Sequence, residues 1–178
     1  MDKLKQLNII YVPVEDRLLL RIAVQSGEKT LEYKAWLTRR LVILLWQSLQ
    51  AIVETVVAAE SGVSPAGRAA MSELRREEAL SQLDFSTPYS RPDNIHHPLG
   101  SEPIRISRYV VKKRQDHLHV LSLLTDNDTG VHLTMDRPLV FSLQKLLSDT
   151  IKQTGWNLEM ALGSSSKAAG MPEKLPIQ

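Results

Sequence analysis

Twice along this 178-residue chain a stretch with a period of two gives way to a stretch with helical spacing, and that switch limits the fold more than any other feature. Residues 7–12 are apolar and rich in β-branched side chains. Leu18, Leu20, Ile22 and Val24 then alternate with Leu19, Arg21, Ala23 and Gln25. After the turn signal Ser26-Gly27-Glu28-Lys29, Leu31, Tyr33, Ala35 and Leu37 continue the alternation. Three half-buried strands in an antiparallel meander follow from this pattern. At Thr38 the period changes, and Leu41, Leu44, Leu45, Leu49, Ile52, Val53 and Val56 fall on one helical face. Thr38 is placed to cap a helix that ends near Ser61-Gly62.

The pattern restarts at residue 104. Residues 104–111 read as a strand, Leu118, Val120, Ser122 and Leu124 alternate with their neighbours, and the turn at residues 126–130 leads into Val131, Leu133 and Met135. Asp136 caps a helix opening with Arg137-Pro138, whose buried face is Leu139, Leu143, Leu146, Leu147, Thr150 and Ile151 and whose end is Gly155. Sliding the first unit by 97 positions sets Arg40 on Arg137, Trp46 on Leu143, Gln47 on Gln144 and Leu49 on Leu146. The expected fold is α+β, with two β-β-β-α units from an internal duplication forming antiparallel sheet packed with helices.

Between the units, Ser64-Pro65 signals a second, surface helix over 64–82, followed by a proline-rich loop over 84–103. Residues 163–178 are small, polar and unpatterned and read as a flexible tail. The reading is a single domain over 1–162, with repeat units at about 6–60 and 104–155.

Composition narrows the chemistry. No cysteine is present, so disulfides, thiolate metal sites and cysteine nucleophiles are ruled out. The most apolar run, residues 41–46, is far short of the roughly 20 residues a membrane span needs. The N-terminus lacks a signal-like apolar region, and a cytoplasmic location is expected. A formal net charge of +2 is too balanced to imply a polyanion partner for the whole molecule, so electrostatic arguments are local.

Among candidate ligands, His117 and His119 lie two apart on a strand and His96-His97 sits in the loop, but no carboxylate falls at a ligand spacing, and no metal is expected. The turn Asp126-Asn127-Asp128-Thr129-Gly130 has its glycine too early for a calcium loop. No phosphate loop, dinucleotide fingerprint, nucleophile elbow or His-Glu-x-x-His motif occurs, so no catalytic residue and no cofactor are assigned.

The basic run Arg105, Arg108, Lys112, Lys113 and Arg114, with Tyr109 among the cations, suits a strand that tracks a phosphate backbone while the ring stacks on a base. The reading favoured for these cations is a solubilising edge, since lysine and arginine are what natural edges use against aggregation. Arg39, Arg40 and Arg137 stand at helix starts, where the macrodipole disfavours cations, so a bound anion or a paired carboxylate is expected there. Residues 41–46 are apolar on every side, more than one sheet can cover. Residues 139–141 and the second helix can supply that cover within the chain; otherwise Val42, Ile43 and Trp46 are candidate interface residues toward a protein partner or a second copy.

In architecture alone, the repeated small sheet and helix resembles the PUR and whirly-type single-strand nucleic-acid binders, whose units carry four strands where three are counted here. The expected function is non-enzymatic protein–protein interaction, as an adaptor. The alternative is a single-stranded nucleic-acid binder using the basic sheet face.

Overall fold

The computed structural model describes residues 2–60, with side chains up to 55, together with 94–115, 117–158 and the isolated positions 67, 74 and 77. Apart from those isolated positions, the expected helix over 64–82, the first half of the loop over 84–103 and the tail over 163–178 lie outside the described residues.

Period-two alternation produces three long strands, β1 (Lys3–Val12), β2 (Arg17–Ser26) and β3 (Lys29–Leu37). They pair as an antiparallel meander, with Leu18, Leu20 and Ile22 on the inner face. Two short strands, β4 (Ile95–His96) and β5 (Ile104–Arg105), run parallel to β3 along its other edge, so the second half of the expected loop is a strap on the sheet. The second sheet is β6 (Arg108–Lys113), β7 (His119–Leu124) and β8 (Gly130–Met135), antiparallel throughout. The strand expected over 104–111 is therefore broken. Ile106 N–H donates to Trp36 C=O at 3.4 Å, and Ser107 N–H donates to Leu124 C=O at 3.0 Å. Between two consecutive residues the chain leaves one sheet and enters the other, a corner of the kind that joins packed sheets.

Helix α1 (Arg39–Glu60) begins where expected, with Leu41 N–H donating to Thr38 Oγ1 at 3.4 Å. Helix α2 (Arg137–Ile151) is capped by Asp136, whose Oδ1 accepts from Leu139 N–H at 3.0 Å. It stops at Ile151, a turn before the expected Gly155. Three strands and a helix thus occur twice, as β1–β3 with α1 and as β6–β8 with α2. The caps Thr38 and Asp136 stand 98 positions apart, one more than the slide made on sequence alone.

One hydrophobic cluster joins both sheets and both helices. The helices run antiparallel: Gln144 donates to Gln50 at 3.0 Å, and Arg39 at the start of α1 reaches the Trp156 carbonyl beyond the end of α2. Val42, Leu45 and Leu49 of α1 and Leu147 of α2 are fully buried. Each such side chain contributes about 1.5–3 kcal/mol of transfer free energy. Helix α2 packs on β1 and β8 as well as on α1. Thr150 Oγ1 donates to Ile9 C=O at 3.2 Å, so the helix protects the middle of a long apolar edge strand. Among the described residues no helix is long and apolar enough to cross a membrane.

Candidate functional site

The fold distributes the predicted site residues to three places. Arg39 and Arg40 lie at the start of α1, both exposed. Arg39 is engaged with the Trp156 carbonyl and stands near the Asp16 carboxylate, so protein groups meet the cation that the helix dipole disfavours.

Arg105 ends β5 and Arg108 opens β6, on either side of the corner between the sheets. Arg105 sits 3.5 Å from Asp126 and Arg108 is paired with Asp128, both acids coming from the β7–β8 turn. Tyr109 projects to the opposite face, toward the helices. Its hydroxyl donates to Leu44 C=O at 3.0 Å and lies 2.8 Å from Ser48 Oγ. The ring therefore shares no face with Arg108 and offers no stacking surface beside it. Parity along the strand dictates this, since Tyr109 registers with the buried Leu123 and Arg108 with Leu124 on the other side.

Lys112, Lys113, Arg114 and Arg137 form the third group. Lys112, Lys113 and Arg114 are exposed at the far end of β6, about 17 Å along the strand from Arg108. The hairpin closes through Arg114 N–H donating to Leu118 C=O at 2.8 Å, with His117 in a left-handed conformation at φ 60°. Because the helices are antiparallel, this hairpin end meets the last described turn of α1 and the first turn of α2. His117, His119 and Arg137 line a recess there with Ile52, Val53, Val140 and Phe141. Only about 10 Å³ of it is open to the centre of a water molecule, room for roughly one water, so it is a shallow niche between the hairpin and the helices and not a ligand pocket.

His119 is buried, and its imidazole titrates below the ordinary histidine value, chiefly because burial disfavours the charged ring and further because Lys113 and His117 repel it. A hydrogen bond between the ring and the His117 backbone works the other way and is outweighed. The two histidines were visible in the sequence as a possible metal pair; what they share in the fold is a cationic neighbourhood. Among the described residues no cluster of three or more His, Asp or Glu side chains has metal-binding geometry.

Val42, Ile43 and Trp46 belong to the core or its margin. Val42 is 0% and Trp46 8% exposed, and Ile43 packs against the same cluster. The all-round apolar character of α1 is met within the chain by the two sheets and α2.

A further polar group lies on the outer face of the first sheet, unassigned by the sequence. Buried Glu32 faces Lys34 at 4.0 Å and His97 at 3.4 Å. His97 Nδ1 is at ion-pair distance without hydrogen-bond geometry, while Lys34 donates to Ser101 C=O at 2.5 Å. These contacts fasten the strap of β4 and β5 to β3. On the outer face of the second sheet, His132 Nδ1 lies 2.8 Å from Ser122 Oγ, a cross-strand pair open to solvent. No protein-family model, curated protein or solved structure matches the chain, so the functional reading rests on this geometry.

Proposed function

We propose that the chain is a non-enzymatic interaction protein that engages an acidic partner protein at the closed end of the β6–β7 hairpin. One observation carries the reading: Lys113, Arg114 and His117 are exposed at the hairpin end, with Lys112 exposed on the other face of β6 and Arg137 at the adjoining start of α2. Cations gathered this way raise the local concentration of an acidic surface and speed its encounter. Val42, Ile43 and Trp46 do not support a partner, since the chain itself covers them.

The experiment is a binding titration at low salt with a labelled polyglutamate peptide, repeated with the triple variant Lys112→Ala, Lys113→Ala and Arg114→Ala. The variant is expected to weaken binding at least tenfold. Failure of the wild-type protein to bind at tens of micromolar defeats the reading.

A second reading, single-stranded nucleic acid, is favoured by the consecutive placement of Lys112, Lys113 and Arg114, which suits a chain-like anion. Its surface would be the hairpin end, because Arg105 and Arg108 are paired and Tyr109 is turned inward. An oligothymidylate titration tests it, with a log–log salt slope of about −0.7 for each phosphate contacted.

We also infer that the two β-β-β-α units descend from one duplicated unit. The support is the helix pattern at an offset of 98, where Val42, Leu45, Leu49 and Val53 correspond to Val140, Leu143, Leu147 and Ile151, all buried. Expression of residues 1–60 alone tests whether one unit retains structure, and a wholly unfolded fragment would count against an autonomous ancestral unit.

A further inference from the structure

Among the described residues β1, β6 and β8 each present a long edge to no other strand. Two of them carry the devices that keep strand edges from pairing. β1 has Lys3 and Lys5, a break in register between Leu4 and Gln6, and the bond from Thr150 to the Ile9 carbonyl. β6 has Arg108, Lys112 and Lys113. β8, Gly-Val-His-Leu-Thr-Met, has no lysine, arginine, acid or proline and no break in register. We propose that β8 pairs antiparallel with β8 of a second copy of this chain, about a twofold axis at Leu133, so that the two second sheets join into one.

The ladder fixes which backbone groups are available. Hydrogen-bonded and non-bonded pairs alternate along antiparallel strands. Thr125 N–H donates to Thr129 C=O at 2.8 Å, one step beyond the last β7–β8 pair, so Leu123–Val131, Leu121–Leu133 and His119–Met135 are the bonded pairs. His132 and Thr134 therefore turn their N–H and C=O away from β7, where no described residue meets them. Their side chains are exposed on the outer face.

A twofold axis at Leu133 sets His132 opposite Thr134 of the second copy. Both residues offer edge groups, so this pair and its symmetry mate each exchange two backbone hydrogen bonds. Leu133 meets its own copy as the non-bonded pair between them. Gly130 then faces Asp136, and its missing side chain leaves room just before α2 begins. An imidazole lies across from a hydroxyl, so protonation brings no like charges together. On β6 the same operation about Val110 or Val111 would set Arg108 against Lys112 or Arg114. The chain itself supplies a precedent: β3, the third strand of the first sheet, carries β4 and β5 on its outer edge, whereas β8, the third strand of the second, carries no described strand. The ladder spans roughly 20 Å, less than a standard interface, so the dimer is weak and concentration-dependent.

Sedimentation velocity on the full chain is expected to give monomer at low micromolar concentration and dimer as concentration approaches millimolar. Thr134→Pro removes an N–H that takes no part in the β7–β8 ladder, and this variant should stay monomeric at every concentration. If the proline lowers the melting temperature, the double variant His132→Asp and Thr134→Asp carries the same test, since it sets carboxylates against carboxylates across the axis at two exposed positions. Disulfide capture reads the register, and the chain has no native cysteine to interfere. In an equimolar mixture of His132→Cys and Thr134→Cys, the mixed disulfide should form at least about fivefold faster than either homodisulfide. The Cα atoms of a bonded pair stand about 5.5 Å apart, within disulfide reach, while like positions lie on a diagonal of roughly 7–8 Å. A chain that stays monomeric overturns the proposal and leaves the edge to a strand of another protein. So does a dimer that survives both the proline and the aspartate variants, or one whose homodisulfides form as fast as the mixed one.

Discussion

The indole N–H of Trp156 donates to Asp16 Oδ1 at 2.6 Å, joining the β1–β2 turn to the segment that follows α2 across 140 residues of sequence. Tyr11 completes the group, its hydroxyl donating to the same oxygen at 3.0 Å and its ring meeting Trp156 edge to face at 5.9 Å. The hydrogen bond from Trp156, then that from Tyr11, and the charge of Arg39 hold the Asp16 carboxyl below the usual aspartate range against the opposing effect of burial. A depressed carboxylate stabilises the fold above its unfolded-state value of about 3.9, and that contribution disappears as pH falls through the lower folded-state value. Wild-type protein should therefore lose thermal stability below about pH 4 more steeply than Asp16→Asn, which keeps a residue tolerant of the φ 47° found there. Melting curves from pH 6 to 2.5 test this, and parallel curves for the two proteins would contradict it.

His119 gives a second pH dependence of opposite chemistry. Its proton affinity is lower in the fold than in the unfolded chain, so the unfolded state binds more protons once pH drops below about 6.5. Stability is then lost as pH falls through the window between the ordinary histidine value and the lower folded one. Between pH 7.5 and 5 the melting temperature of wild type should decline relative to that of His119→Gln, measured without polyanion.

Leu45 on α1 and Leu147 on α2 are both 0% exposed, each on the buried face of one of the antiparallel helices. Truncation of either to alanine should cost about 2–5 kcal/mol in urea unfolding. The neighbouring exposed Gln47→Ala should stay within about 0.5 kcal/mol of wild type. A cost below about 1 kcal/mol at both leucines would show that the helix faces are not packed as described.

Tyr109→Phe separates packing from binding. Removal of the hydroxyl that joins Leu44 C=O and Ser48 should cost about 0.5–1.5 kcal/mol of stability. Polyanion affinity should not change, because the ring faces the helices. A fall in oligothymidylate affinity at unchanged stability would return the ring to the binding surface.

Two glycines should respond differently to alanine. A Cβ at Gly130 would stand 1.9 Å from Leu123 C=O, so the β7–β8 backbone must part, at a cost of at least about 1–3 kcal/mol. At Gly27 a Cβ meets no atom within 4 Å, and only its φ of 58° opposes substitution, by about 1–2 kcal/mol. Chemical denaturation of both variants should rank Gly130→Ala as the less stable.

Features set by short-range periodicity were legible in the sequence. The alternation from Leu18 to Val24 and the helical spacing from Leu41 to Val53 each report burial on one face, and Thr38 and Asp136 act through bonds to residues three positions on. The orientation of Tyr109 was not legible, because Tyr109, Val110 and Val111 are apolar in succession and leave the parity of β6 undetermined. The pairing of Arg105 and Arg108 with Asp126 and Asp128 requires the β7–β8 turn to sit beside β6, a relation fixed only by the assembled sheet. The cationic end was half legible. Residues 112–114 stood out as a basic run, but the approach of His117 and His119 to Arg137 depends on antiparallel helices, which no local signal encodes.

The corner at Ile106 and Ser107 has a consequence for any attempt to divide the molecule. The outermost hydrogen-bonding partner of β3 comes from residues 94–106, so the first half of the chain obtains the last strands of its sheet from the second half. An amino-terminal fragment ending before Ile95 would present β3 as a bare edge, the kind of surface on which chains aggregate. The complementary fragment would carry β4 and β5 with nothing to pair against. Mixed together, the two should recover the missing ladder and behave as a split protein, whereas each alone should be poorly soluble.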